Sequence, residues 1–381
     1  MFFSRSPILD TAAALIFGTA LIAAGPIAAS ADEPEMLPTK SVNNPGTDMD
    51  PQTYQSGTSV LDLGGGKLVA AFSDTGLGGP LFLSDPAGSA ETAGDNVQLS
   101  VPASQQHGVG YAWSSNGGKN WTDARTLPDT ADGDYFGPVL AYGEKKKRVY
   151  LAVPSFDSEK VLVFKSNNKG HSFGSPVDAA MTGDRLYRPW IGVDNVSGSG
   201  NGRVYVCWSD DQAGPYGVRL TRSTNNGASF IPPGGMLIAL KGFGCTIVIG
   251  PKHEVYVFYF AGDDIEGLAG DNKLFLRRSL DKGVTFGPEI EVADLKGTGF
   301  LGAIDGAGEG SLRIGFPHVA INFGKNGGQI YVVYNDDPTP GNLLDDNGDI
   351  LMVKSTNGGK SRSAPKRVTD DKAGTQLTRS V

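Results

Sequence analysis

Short apolar segments alternate with turns rich in Gly, Asn and charged residues along most of the chain. The segments are rich in Val, Ile, Tyr and Phe, which favour strands, and helical periodicity is nearly absent. This pattern predicts an all-β protein whose strands fall into five groups of four. The first strands are predicted at 59–63, 138–141, 189–193, 244–249 and 317–321. The second are predicted at 67–72, 149–153, 204–208, 255–260 and 330–334, and the third at 108–113, 161–165, 218–222, 274–278 and 350–354. Fourth strands are predicted at 122–127, 175–178 and 288–292.

An eight-residue phrase follows each predicted third strand. It reads Ser, any residue, Asn or Asp, any residue, Gly, any residue, a small polar residue and an aromatic. Gly allows a positive φ, and Asn or Asp can hydrogen-bond to nearby backbone, so the phrase predicts a tight turn. We expect the aromatics Trp121, Phe173, Phe230 and Phe286 to be buried beside their turns. The phrase occurs at 114–121, 166–173, 223–230 and 279–286, with a degraded copy at 355–362.

This phrase is similar to the Asp-box, or BNR repeat, of the sialidase superfamily. The resemblance implies a β-propeller in which the box joins the third and fourth strands of each four-stranded blade, on the face opposite the ligand. The five Asn or Asp residues of the boxes are therefore expected to lie outside any active site. Residues 56–381 would form five complete blades, and 376–381 would begin a sixth. A truncated propeller, a five-bladed ring and a ring closed by its terminal segments are all compatible with this pattern.

The first 31 residues predict a secretory signal. Arg5 precedes an apolar run over 12–24, and Ala29-Ser30-Ala31 resembles a cleavage site before Asp32. An uncleaved anchor is the alternative, and 32–55 is interpreted as a linker or edge segment. The mature protein is expected to be secreted or periplasmic, monomeric and without a membrane span. A net charge of −8 argues against nucleic acid and favours a glycan or an extracellular protein as partner.

Acidic residues recur where the predicted second strands end. Loops alternate between the two faces of a propeller, so these residues should lie opposite the boxes. They could form a carboxylate rim that binds a cation, hydrogen-bonds sugar hydroxyls or supplies a general acid. Alternatively, each Asp simply ends a strand and opens a polar turn. The ligand-binding candidates in this group are Asp210, Asp211, Asp263, Asp264, Asp336 and Asp337.

Basic and aromatic candidates lie in the connections between blades. Arg185, Tyr187 and Arg188 precede the third group of strands, and Arg313 precedes the fifth. The resemblance implies three arginines that bind the substrate carboxylate, a Tyr nucleophile helped by a Glu, and an Asp acid/base. We therefore take Arg188, Tyr187 and Arg313 as catalytic candidates, and Arg185 and Arg188 as ligand-binding candidates. The family's Phe/Tyr-Arg-Ile-Pro motif, expected ahead of the first box, is absent from this chain.

Two function classes remain open after this comparison of motifs. One is a sialidase-type glycoside hydrolase, and the other is a non-catalytic propeller that binds glycan or protein. No cofactor and no metal site are predicted. Asp345-Asp346-Asn347-Gly348-Asp349 places oxygen ligands at alternate positions, as calcium loops do, but it also fits an ordinary turn. Cys207 and Cys245 fall in neighbouring blades, where a disulfide and two buried thiols are equally compatible with the sequence.

Overall fold

A computed structural model describes residues 55–74, 108–128, 135–155, 159–181, 186–210, 217–262, 272–295, 317–323, 328–336 and 349–369. These residues form five antiparallel four-stranded sheets, which are the five blades of a propeller. The predicted all-β class and the five blades are confirmed. The proposed secretory signal, the segment 32–54 and the proposed sixth-blade strand at 376–381 lie outside the described residues. Within the described ranges, no helix is long and apolar enough to cross a membrane.

Each blade takes four consecutive strands of the chain in order. Blade 1 contains β1 (Gln55–Asp62), β2 (Leu68–Asp74), β3 (Gly108–Ser114) and β4 (Thr122–Thr126). Blade 2 contains β5 (Val139–Gly143), β6 (Arg148–Ser155), β7 (Lys160–Ser166) and β8 (Val177–Asp178). Blade 3 contains β9 (Leu186–Val193), β10 (Val204–Asp210), β11 (Gly217–Ser223) and β12 (Ile231–Leu240). Blade 4 contains β13 (Gly242–Ile249), β14 (Val255–Ala261), β15 (Lys273–Ser279) and β16 (Ile290–Asp294). Blade 5 contains β17 (His318–Asn322), β18 (Gln329–Asp336), β19 (Asp349–Ser355) and β20 (Lys366–Arg367).

Hydrophobic cores lie between consecutive blades, and the second strands of blades 2, 3 and 4 each contribute to the cores on both of their sides. The strand β14 reads VYVFYFA, and all seven residues are buried. Its Phe258 packs in the core shared with blade 5, whereas Val257 packs in the core shared with blade 3. A strand covered on both faces loses the alternation of polar and apolar residues. The first strands of consecutive blades contact one another, from β1 to β17, so they lie closest to the propeller axis.

The turns between third and fourth strands, which we call box turns, share one hydrogen-bond pattern. In blade 3 the Ser223 hydroxyl accepts the Gly227 amide at 2.8 Å, and Asn225 Oδ1 accepts the Ser229 amide at 3.0 Å. Gly227 has φ 76°, in the region that only Gly enters at little cost. Asn225 Oδ1 also accepts the Ala228 amide at 3.1 Å, so the Asn binds amides three and four residues ahead. The same bonds form at Ser114 and Asn116, Ser166 and Asn168, Ser279 and Asp281, and Ser355 and Asn357.

Box turns also dock onto the preceding blade. Lys165 on β7 donates to the Gly227 carbonyl at 3.0 Å, and Tyr150 on β6 donates to the Asn226 carbonyl at 3.1 Å. A Cβ added to Gly227 would lie 2.9 Å from the Tyr150 ring, so close approach requires glycine. The equivalent pairs are Arg222 with Gly283 and Tyr205 with Lys282, between blades 3 and 4, and Arg278 with Gly358, between blades 4 and 5. We call each Tyr and its cationic neighbour a docking pair.

The box aromatics are buried to different degrees. Phe173 and Phe230 are buried, at 6% and 3% exposure, whereas Trp121 and Phe286 are only partly buried. The prediction of full burial is thus confirmed for two of the four. The difference follows from position, since Phe230 enters the core between blades 2 and 3 while Phe286 packs against the edge of its core.

A disulfide joins two blades. Cys207 on β10 is bonded to Cys245 on β13, which links blade 3 to blade 4. Both residues are buried, and they account for both cysteines of the sequence. The disulfide alternative is therefore the one that the structure adopts.

Candidate functional site

The face opposite the box turns is formed by the starts of first strands and the ends of second strands. In blade 3 the register pairs Leu186 with Asp210 at this end and Val193 with Val204 at the box end. Of the blade 3 candidates, Arg188 and Asp210 lie on neighbouring strands at this end of the sheet, away from the boxes. We call this side the open face.

Arg188 occupies a β-bulge on the innermost strand of blade 3. Trp190 pairs with Cys207 and Tyr187 pairs with Ser209, so Arg188 and Pro189 together oppose one residue of β10. Arg188 is exposed and has φ 50°. A positive φ in a non-glycine residue costs free energy of order 1–3 kcal/mol and is found preferentially at functional positions.

Glycine takes this bulge position in the two flanking blades. Gly137 has φ 53° and Gly244 has φ 60°. The Gly137 amide donates to Ser73 of the preceding blade at 2.7 Å, and the Gly244 amide donates to Ser209 of the preceding blade at 2.8 Å. The bulge thus fixes where each first strand begins, and blade 3 alone among these three places a charged side chain there. The glycines at the aligned positions are the sequence signal that could have identified the bulge.

Asp210 is the buried member of an ion pair beside this bulge. Its carboxylate is 1% exposed and accepts a hydrogen bond from Arg219 Nε on β11. Arg219 also donates to the Gly234 carbonyl at 3.3 Å and remains partly exposed. Arg219 therefore offsets the charge of Asp210, which the sequence analysis had placed on an exposed rim. Arg219 was not identified from the sequence, although it lies on the predicted third strand of the blade whose second strand ends at Asp210.

Blade 5 places two carboxylates opposite each other at the same end of the sheet. Asp336 on β18 and Asp349 on β19 are cross-strand partners, with exposures of 4% and 3%. Arg367 donates to Asp349 Oδ1, and Thr369 donates to the same oxygen at 2.5 Å. Burial, together with the nearby Asp336 carboxylate, raises the pKa of Tyr334 to about 12. Asp349, which the sequence suggested as part of a turn or calcium loop, instead belongs to this arginine-paired group.

His318 begins the innermost strand of blade 5. Its ring is exposed to solvent, yet the protein around it reduces its hydration, and this lowers the pKa of the imidazole. The first strand of blade 4 is hydrogen-bonded to the start of this strand, since the Thr246 hydroxyl donates to the Pro317 carbonyl at 3.1 Å.

The side chains of the remaining predicted site residues lie outside the described part of the structure. Tyr187 lies in β9, but its side chain is outside the described residues. In the described portion of the chain, no group of three or more His, Cys, Asp or Glu residues could hold a metal ion. The candidates that lie wholly outside the described ranges are Arg185, Asp211, Asp263, Asp264, Arg313 and Asp337.

Comparison with solved structures identifies the class as a β-propeller. The chain is similar to a protein of unknown function from Dyadobacter fermentans, with a TM-score of 0.52 and 14% identity over 85% of this chain and 84% of that one. It is also similar to a Hadza microbial sialidase, with a TM-score of 0.50 and 11% identity over 87% of this chain and 62% of that one. A third similar structure is the GH93 α-L-arabinofuranosidase of Fusarium graminearum, with a TM-score of 0.49 and 16% identity over 86% and 83% of the two chains.

No family model matches the sequence, and no curated protein matches it. At these identities the similarity to solved structures establishes the fold.

Proposed function

We propose that this protein is an exported propeller that binds glycans on its open face, with Arg188 as the principal ligand-binding residue. The observation that carries the proposal is the exposed arginine at a left-handed bulge, where the neighbouring blades use glycine. Positive φ also occurs at turn residues such as Lys147, but Arg188 lies within a strand, where such a conformation points to a functional constraint. A guanidinium presents a planar set of donors that matches a carboxylate. A sugar acid is therefore the preferred ligand class.

The neighbouring groups support this role by their charge. The carboxylates of Asp210 and Asp349 are each paired with an arginine, so the described part of the open face does not present them as bare anions. Asp210 and Asp336 are both buried, and Arg185 is proposed as a second cationic ligand-binding residue. Asp211, Asp263, Asp264 and Asp337 are proposed to accept hydrogen bonds from sugar hydroxyls.

A second candidate function is glycoside hydrolysis of the sialidase type. It is favoured by the similarity of this fold to part of a sialidase chain, together with the box phrase. In that case Arg188 and Arg313 bind the substrate carboxylate and Tyr187 is the nucleophile. A protein ligand on the open face is the corresponding alternative for a non-catalytic propeller.

The test replaces Arg188 with Gly, because Gly keeps the bulge conformation that Ala would strain. The matched control is Lys147→Gly, which removes an exposed cation at φ 51° from a turn on the box side. Binding to sialylated and neutral oligosaccharides is measured for the wild type and both variants. Loss of a charged hydrogen bond is expected to weaken binding to the acidic glycan by about tenfold or more, with the Lys147→Gly variant unchanged.

A fluorogenic sialoside separates the two candidate functions. Hydrolysis by the wild type that disappears in Arg188→Gly supports the enzyme. Binding without hydrolysis supports the glycan-binding propeller. If the wild type and the Arg188→Gly variant bind glycans equally, the part of the open face around Arg188 is not the ligand-binding surface.

A further inference from the structure

The turns at the box end of the blades carry an excess of exposed lysine. We call this side the box face, and it comprises the box turns together with the turns that join first and second strands. The carboxylates that water reaches here already accept hydrogen bonds, as Glu254 does from the Lys252 amide and Asp281 from the Thr285 hydroxyl. The exposed lysines on the described part of this face are Lys119, Lys145, Lys146, Lys147, Lys169, Lys252 and Lys360.

The box face is therefore opposite in sign to the chain as a whole, which has a net charge of −8. Its exposed lysines come from turns of blades 1, 2, 4 and 5, so the positive charge is spread over the face rather than gathered in one groove. The described ranges are interrupted at the open-face end of the strands, apart from the break at 324–327. The box face is thus described almost throughout.

Three apolar side chains stand exposed among these lysines. Leu280, in the box turn of blade 4, is 68% exposed, and it holds a position where the other four boxes have Ser, Asn or Thr. Val284 of the same turn and Phe323, which follows β17, are also exposed. Packing within the molecule does not account for an apolar residue at 280, since most of its surface contacts water.

We infer that the box face binds the surface of a lipid bilayer that contains anionic lipids. Such a surface attracts lysines that are held close to it. Apolar side chains beside a basic region add affinity by entering the boundary between headgroups and acyl chains. A soluble polyanion would use the lysines but would leave Leu280, Val284 and Phe323 in water, so a bilayer accounts for both features of the face.

This orientation directs the open face away from the bilayer. The two faces lie at opposite ends of the same strands, as the pairing of β9 with β10 shows. Arg188 would then remain accessible to a ligand in solution while the protein is bound to the membrane. The inference does not depend on which ligand the open face binds.

Co-sedimentation of the protein with vesicles tests this inference. Vesicles of phosphatidylcholine alone are compared with vesicles of phosphatidylcholine and phosphatidylglycerol in a ratio of about two to one. We expect binding to the anionic vesicles and little binding to the neutral ones. Binding should weaken as salt is raised toward about 1 M, because the screening length then falls to about 3 Å.

Charge reversal on the box face tests the role of the lysines. The double variant Lys146→Glu, Lys360→Glu should weaken binding to anionic vesicles about twenty-five-fold or more, since each lysine near such a surface contributes about fivefold. The matched control is Lys241→Glu, Lys366→Glu, which makes the same change of charge at exposed lysines outside the box face. Equal weakening by the two double variants would show that net charge alone controls binding, which overturns the inference.

A single substitution tests the apolar contribution. Leu280→Thr, which gives this box the Thr found in two others, should weaken vesicle binding about fivefold. Its control is Leu240→Thr, at a residue 62% exposed on the open-face end of β12. No binding to anionic vesicles, or equal binding to both kinds of vesicle, overturns the inference. Unchanged vesicle binding by Leu280→Thr also overturns it, and competition by soluble heparin would then identify a soluble polyanion as the partner.

Discussion

Removing the disulfide between blades 3 and 4 should cost about 4 kcal/mol of unfolding free energy. The two cysteines are separated by 38 residues, and closing a loop of that length restricts the unfolded chain by this amount. The double variant Cys207→Ala, Cys245→Ala removes the bond without leaving a buried thiol. Because both residues are 4% exposed or less, the replacement does not change the surface.

Equilibrium unfolding in urea, followed by tryptophan fluorescence, measures this loss. A reducing agent should destabilise the wild type by a similar amount and leave the double variant unaffected. Hydrogen exchange should increase mainly in β9, β10, β13 and β14, the strands of the two linked blades nearest the bond. A difference below about 1 kcal/mol between wild type and double variant would refute the loop-entropy argument.

Two further predictions concern the box turns. Burial raises the pKa of Asp281, but hydrogen bonds from Thr285 and Ser279 and two backbone amides outweigh this effect, so its pKa in the folded state lies below the usual range. The resulting stability is fully present above the unfolded pKa of about 4 and is lost as pH falls. Asp281→Asn gives this box the Asn found in the other boxes. Its melting temperature should therefore change less between pH 5 and pH 3 than that of the wild type. Phe230→Ala should destabilise the protein by about 3–5 kcal/mol, because the ring is buried in a core, whereas Phe286→Ala, at a partly buried site, should cost clearly less in the same urea assay.

The repeat geometry was readable from the sequence because it depends on local chemistry. Ser, Asn or Asp, and Gly at fixed spacing determine the box turn, so each of the five turns was placed correctly. The run of apolar residues that forms β14 likewise predicted a strand at 255–260. These features need no knowledge of distant contacts.

The site was less predictable because it depends on side chains from different strands. Asp210 was identified, but its burial under Arg219 depends on the pairing of β10 with β11. Asp349 was interpreted as part of a turn because its partner Arg367 lies 18 residues later, on the next strand. The left-handed conformation of Arg188 could be inferred only by comparing it with Gly137 and Gly244 at the aligned positions.

The contacts that join the blades differ from one interface to the next. A stacked imidazole and indole join blades 1 and 2, a lysine joins blades 2 and 3, and a disulfide and an arginine join blades 3 and 4. Repeats of similar shape are prone to pair with the wrong neighbour during folding. Here the His171–Trp113 stack and the Cys207–Cys245 disulfide are each particular to one interface, so a misordered assembly would leave the thiols without partners and the rings unstacked. The blades share one shape, but their order is encoded in the side chains between them.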